Sequence, residues 1–142
     1  MDLSAALAFA RDRRQGVLAT IRANGRPQLS NILFVPGGGD TLRISVTADR
    51  AKTANLRRDP RASLYVVGES FYQYAVIEAT AALSAVAAET GDATVEALVE
   101  YYRLGQGEHP DWDEYRAAMV ADRRLLVTLT PDRAYGMGVP GA

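Results

Sequence analysis

Cysteine is absent from these 142 residues. That excludes a disulfide framework, a thiolate metal site and a cysteine nucleophile. Histidine occurs once, so a Ser-His-Asp triad would have to use His109. His109 lies in GQGEHPDW, a loop before a helix, and reads as a solvated or cap-region side chain. Asp111, Asp113 and Glu114 are better explained by helix capping than by a cation, so no metal site is expected. No apolar run approaches the ~20 residues that a membrane helix needs. The N-terminal MDLSAALAFARDRR lacks a basic leading segment and carries Asp2, which is unlike a signal peptide. The expectation is a soluble cytoplasmic protein that does not engage a membrane. A net charge of −1 lacks the basic excess of a general nucleic-acid binder. G-x-x-x-x-G-K-[ST] and G-x-S-x-G are both missing. GMGVPG, at 136–141, spells G-x-G-x-x-G, but no helix follows it and it reads as a flexible tail.

Lysine is almost missing too. Of the 16 basic residues 15 are Arg, and Lys52 is the single Lys. With 24 Ala, this bias suggests a GC-rich genome. The rest is ordinary: 48% hydrophobic and 23% charged residues fit one globular domain over 1–142.

Hydrophobic periodicity predicts a short helix over 3–10, ended by Gly16. Strands are expected at 17–21 and 27–35, joined by an Asn24-Gly25 hairpin turn, and at 41–47. In the last of these Leu42, Ile44 and Val46 point one way and Arg43, Ser45 and Thr47 the other. Asp49 is placed to cap a helix over 51–58, which Asp59-Pro60 closes. Strands at 62–67 and 72–84, helices at 87–104 and from Asp111 to 121, and a strand at 125–130 complete the pattern. Short turns between neighbouring strands imply antiparallel pairing. Six strands with outlying helices predict a small, mainly β barrel rather than a doubly wound sheet.

Within this pattern RAKTANLRRDPRAS, residues 50–63, concentrates five basic side chains: Arg50, Lys52, Arg57, Arg58 and Arg61. A strand, a tight turn and a helix N-terminus follow in order. Free N–H groups and the helix dipole there suit a phosphate, with Arg50 and Lys52 flanking the point. Ser45 and Thr47 continue the line of hydrogen-bonding groups, and Lys52 and Asn55 share a helix face. A solvated basic face, partly paired to Asp49 and Asp59, accounts for the same residues. On these residues alone the two readings stand level.

GVLATIRANGRPQLSNILFV, LRISVTADRAKTANLRRDPRASLYV and SFYQYAVIEATAAL together resemble the pyridoxamine 5′-phosphate oxidase-like family. The likeness is to its actinobacterial branch of flavin/deazaflavin-dependent, coenzyme F420-binding oxidoreductases. It extends over nearly the whole chain, through DWDEYRAAMVADRR and the final YGM. The resemblance implies a six-stranded antiparallel split β-barrel, with peripheral helices. It also implies a homodimer holding two cofactors at its interface.

By the same resemblance, Arg50 and Lys52 hold the cofactor phosphate, with Asn55 following on their helix. Ser45 and Thr47 run along the ribityl chain, and Asn31 and Ile32 present backbone to the ring. Tyr72 and Tyr74 come from the partner subunit, although strand packing in a core or interface explains those two aromatics equally well. Arg57 and Arg58 lie where a longer anionic tail could run, which favours F420 over FMN. The implied activity is hydride transfer between the deazaflavin and a small electron-poor organic substrate. The cofactor carries the difficult step, so no catalytic side chain is named. An FMN-dependent pyridoxamine 5′-phosphate oxidase-like enzyme and a non-catalytic F420 carrier remain as alternatives.

Overall fold

The alternation in residues 42–47 holds along the chain: Leu42, Ile44 and Val46 are buried, and Arg43, Ser45 and Thr47 are half-buried. Strands of this kind need one covered face, and here they share it in a single sheet. The computed structural model describes residues 1–142. In chain order the elements are α1 (Leu3–Arg11), β1 (Gln15–Ile21), β2 (Pro27–Leu33), β3 (Val35–Pro36), β4 (Leu42–Thr47) and α2 (Ala51–Arg58). There follow β5 (Arg61–Val67), β6 (Tyr74–Leu83), α3 (Ala93–Gln106), α4 (Trp112–Ala121) and β7 (Arg124–Met137). Every ladder is antiparallel, and the order across the sheet is β2-β1-β5-β6-β7-β4-β3.

Seven strands form where six were expected. The stretch expected as one strand over 27–35 divides at Phe34. Its first part pairs with β1, and Val35 and Pro36 pair with Arg43 and Leu42 of β4. β2 and β3 are the two outer strands of the sheet, yet one residue separates them in sequence. The sheet must therefore curl until its edges meet at Phe34, whose side chain is fully buried. Away from that junction no ladder joins β2 to β4, and the curled sheet stays open along one seam.

Inside the curl, Leu18, Ile44, Leu64, Ile77, Leu125 and Phe34 form the main core. A second cluster packs α3 and α4 onto β7 through Val95, Leu98, Tyr115, Met119 and Leu126.

Four other expectations change. Helix α3 starts at Ala93, not 87, because the Asp92 carboxylate accepts from the N–H groups of Ala88, Glu89 and Val95 and fixes the start there. Asp49 does not cap α2. The N-cap is Arg50, and no side chain caps that helix. Tyr72 lies in the turn before β6 rather than on the strand. The 136–141 segment is no loose tail: Gly136 and Met137 belong to β7 and Val139 is buried in the core.

Candidate functional site

Strand phase decides which backbone groups face the open seam. Phe34 N–H donates to Arg14 C=O, and Arg22 N–H donates to Arg26 C=O. With Gly16 opposite Ile32, these bonds set the phase of the β1–β2 ladder. Residues 28, 30, 32 and 34 turn their polar groups toward β1, and Asn31 and Leu33 turn theirs outward to the seam. On the other side, Ser84 binds both backbone groups of Leu126, so Leu126 faces away from its partner Ser45. The Ser45 backbone therefore also faces the seam. The Tyr101 hydroxyl of α3 spans the gap, donating to Leu33 C=O at 3.2 Å, and its ring lines the cleft beside Ser45.

Beside this span the seam widens into a cleft of about 330 Å³, lined by Asn31, Ile32, Ser45, Lys52, Tyr101 and Arg124 among others. A neighbouring groove, between the start of α2 and β7, is lined by Thr47, Asp49, Arg50, Asp122, Arg123 and Arg124. Arg124 belongs to both. Lys52 Nζ lies 3.5 Å from Ser30 Oγ on β2, and Arg124 Nη1 lies 3.4 Å from Ser45 Oγ on β4. Both are long contacts between a charged donor and a neutral acceptor. Neither cation, nor Arg50, has a carboxylate within salt-bridge distance. The Nε of Arg124 is buried with no hydrogen-bond partner. Burial holds the Lys52 ammonium below its ordinary pKa, and the charges of Arg50 and Arg124 depress it further. Such a set of cations is suited to an anion, and the uncapped start of α2 adds its dipole to the same side.

The residues singled out by sequence do not all meet here. Asn31, Ile32, Ser45 and Lys52 line the cleft, and Thr47 and Arg50 line the groove. Ile32 contributes a buried side chain, while its backbone is turned to Gly16, so Asn31 holds the free edge. Asn55 is buried on the far side of α2, where its Nδ2 donates to Thr20 Oγ1 at 3.1 Å and its Oδ1 accepts from Arg58. Arg57 is exposed in the last turn of α2. Tyr72 is exposed, and Tyr74 stacks on Tyr65 on the outer sheet face with ring centroids 5.5 Å apart. Neither tyrosine lines the cleft of its own chain.

Sequence reading missed Arg124, Arg123 and Tyr101. Arg124 had a legible signal, since it opens a strand that pairs with 42–47 and so returns beside Ser45 and Thr47. A second groove, on the outer face at Ala19, Ser63, Glu78 and Arg133, holds charges that are already paired, with Arg133 to Glu78 at 3.2 Å and Arg61 to Asp59 at 2.8 Å. Unpaired cations and free strand edges coincide only at the seam.

Known proteins share this architecture. The solved structure named "F420 Reductase" is 21% identical, covers 90% of this chain and 94% of its own, and superposes with a TM-score of 0.67. A conserved hypothetical protein from Mycobacterium tuberculosis is 22% identical over 100% of this chain and 94% of its own, with a TM-score of 0.70. A heme binding protein from Mycobacterium smegmatis is 20% identical over 99% of this chain and 55% of its own, with a TM-score of 0.68. At such identities the likeness concerns the fold. The sequence pattern of the pyridoxamine 5′-phosphate oxidase family matches residues 3–138, and with that span, nearly the whole chain, the protein belongs to this family.

Proposed function

We propose that the chain is an oxidoreductase that uses coenzyme F420 and acts as a two-fold homodimer on a small electron-poor organic substrate. The observation that carries this reading is the set of unneutralised cations, Arg50, Lys52 and Arg124, beside the free strand edges at Asn31 and Ser45. A ligand with a polar planar ring, a hydroxylated chain and a phosphate matches those groups in that order. A buried guanidinium Nε without a partner supports the fit, because such a donor is costly to leave unmade. The resemblance of the chain to the F420-binding branch, and the F420 reductase among its structural neighbours, support deazaflavin over FMN.

Bound there, the deazaflavin supplies hydride transfer at its C5. The chain's own part is to hold and orient. Lys52 and Arg50 grip the phosphate, Ser45 and Thr47 meet the hydroxyls, and Asn31 offers its edge to the ring beside Ile32. In this reading Arg57 is a distant, screened charge, Asn55 braces the helix that carries Lys52, and Tyr72 and Tyr74 reach the partner subunit's cleft. Leu29, Leu33, Tyr65, Val67, Tyr135 and Met137 are all exposed apolar residues of the sheet strands. The ladders place Leu33, Val67, Tyr74 and Met137 in one row, with Tyr65 and Tyr135 in the next. An apolar surface of this kind suits a second copy of the chain.

Fluorescence titration with F420, FMN and hemin tests the cofactor, and turnover of reduced F420 against a substrate panel tests catalysis. F420 is expected to bind at least about tenfold tighter than FMN, a difference of about 1.4 kcal/mol. Equal affinities would remove the deazaflavin preference, and hemin binding alone would remove the reading. The sole imidazole, His109, is packed among Tyr102, Trp112 and Tyr115, its Nδ1 accepts from Asp111 N–H, and it does not line the cleft. F420 binding without turnover would identify a carrier.

A further inference from the structure

We infer that His109 is a pH-sensitive positioning residue for the α3–α4 wall of the cleft. Its neutral imidazole fixes the entry into α4 and the ring of Tyr102. Protonation releases both, so the wall loosens as pH falls. The inference does not depend on which ligand occupies the cleft.

The link begins in the sequence. Pro110 has no N–H, so the next amide after His109 is that of Asp111. Asp111 is the N-cap of α4, where its carboxylate accepts from Glu114 N–H. Its own N–H donates to His109 Nδ1 at 2.9 Å. An acceptor at Nδ1 requires the neutral ring, with its proton on Nε2. A proton on Nδ1 sets two donors against each other at the start of the helix.

Ring contacts connect the same imidazole to the cleft. Its centroid lies 5.1 Å from Tyr102, 5.7 Å from Trp112 and 5.5 Å from Tyr115. Tyr102 and Tyr115 both line the cleft. Tyr115 has an anchor of its own, because its hydroxyl donates to Leu98 C=O at 2.8 Å. Tyr102 is held through its ring, between His109, Trp112 and Tyr115. It is therefore the wall residue that responds when the imidazole moves. Tyr102 also borders a small cavity shared with Tyr101 and Leu33, which leaves room for its ring to shift.

The surrounding charges permit an imidazolium here. The loop itself carries Glu108 and Asp111, α3 presents Tyr102 and Arg103, and α4 presents Tyr115, with Asp113 and Glu114 in its first turn. Arg116 of α4 is already paired with Glu96. Glu108 accepts from Trp112 Nε1 at 2.9 Å and pairs with Arg103 Nε at 3.1 Å, and Arg103 lies over the Trp112 ring. Carboxylates dominate this set, and aromatic faces attract a cation. A charged ring is thus tolerated, but not in the orientation that the Asp111 N–H fixes. Once charged, it turns Nδ1–H toward a carboxylate, and the adjacent Glu108 is drawn from Trp112.

Imidazole is the side chain whose charge changes between about pH 5 and 8, and this chain has one His and one Trp. NMR of the ligand-free, full-length protein over that range follows the His109 ring nitrogens, the Asp111 amide and the Trp112 indole N–H. It is compared with His109→Asn and His109→Phe. Asn accepts from the N–H two residues on and does not titrate, whereas Phe keeps a ring without an acceptor. In the parent, the Nε2–H tautomer is expected at the alkaline end. Toward the acid end the Asp111 amide is expected to lose exchange protection and the Tyr102 ring signals to shift, while the main core stays unchanged. His109→Asn is expected to keep Asp111 protected throughout, and His109→Phe to lack that protection throughout. An Nδ1–H tautomer at the alkaline end, an unresponsive Asp111 amide, or an equal response in His109→Asn overturns the switch. F420 affinity is expected to fall about threefold or more further in the parent than in His109→Asn, the size of one neutral hydrogen bond. That comparison cancels titration of the ligand itself, and equal falls overturn the coupling to the cleft. A working switch in a parent that binds no F420 at either end keeps this inference and removes the cofactor reading instead.

Discussion

The Tyr101 hydroxyl donates to the Leu33 carbonyl at 3.2 Å, joining α3 to an outer strand that has no neighbour on that side. Tyr101→Phe keeps the ring and removes this bond. One neutral hydrogen bond is worth about 0.5–1.5 kcal/mol. A stability loss in that range is expected from urea unfolding, with amide exchange at Leu33 and Ser45 accelerated more than in the main core. Unchanged exchange at both sites would mean that the seam is held by packing alone.

Tyr115 gives the fold an alkaline limit. Burial, and then the neighbouring Tyr101, push its phenol up to about 12, while its hydroxyl donates to Leu98 C=O at 2.8 Å. Its folded value exceeds the unfolded value of about 10. The folded state thus holds the proton more tightly. This contribution is complete below about pH 10 and is lost as pH rises toward 12. Unfolding free energy is expected to fall over that window, and Tyr115→Phe to fall less steeply. Parallel profiles would assign the alkaline loss to other groups.

Asn55 separates a structural role from a binding one. Its amide sits between Thr20 Oγ1 and Arg58, and Thr20 in turn donates to Gln28 at 3.0 Å. Asn55→Ala leaves buried polar atoms short of a partner, at a cost of about 1–3 kcal/mol. Chemical denaturation is expected to register that loss. Ligand affinity, measured well below the unfolding transition, is expected to change by less than about threefold. A large affinity loss in a fully folded variant would return Asn55 to the site.

Much of this was legible in sequence because the signals were local. Alternation at 42–47, Asn24-Gly25 and Asp111 each specify their element from a few neighbouring residues, and each element forms where those residues place it. Features set by distant contacts were not legible. Asn55 and Lys52 share a helix face in the sequence, but Lys52 reaches Ser30 at the open seam and Asn55 reaches Thr20 beneath the helix. The break at Phe34 follows from closing the sheet, and no local turn residue marks it. Val139 packs because β7 continues to Met137, beyond the strand end expected at 130.

The outer sheet face yields a test of assembly. Val67 and Leu33 are about half exposed on the isolated chain, at 50% and 52%, so a charge at either site does not disturb its core. Under the proposed assembly the parent is expected to scatter light as a dimer and Val67→Glu as a folded monomer. If Tyr72 and Tyr74 serve the partner's cleft, that monomer also binds F420 more weakly. A parent that is monomeric while binding F420 at full affinity would remove the two-subunit site.

Lys52→Ala tests the centre of the proposal, because fold and ligand should respond in opposite directions. Its ammonium is partly desolvated, lies among Arg50 and Arg124, and is offset only by Ser30 Oγ at 3.5 Å. Its folded pKa is lowered, so the fold disfavours the charged form. The penalty is full at neutral pH and is relieved as pH rises from the lowered folded pKa to the unfolded value of about 10.4. Removing the charge should therefore leave stability unchanged or slightly raised, and Ala is also the better helix former in the first turn of α2. Ligand affinity should fall, since a hydrogen bond to a charged group is worth about 1.5–3 kcal/mol, or roughly 10- to 150-fold. Lys52→Arg should restore only part, as a planar fork replaces a compact charge opposite Ser30. Binding isotherms with parallel thermal melts decide it. A raised melting temperature with unchanged F420 affinity would place the phosphate elsewhere, and the assignment of Arg50 would fall with it.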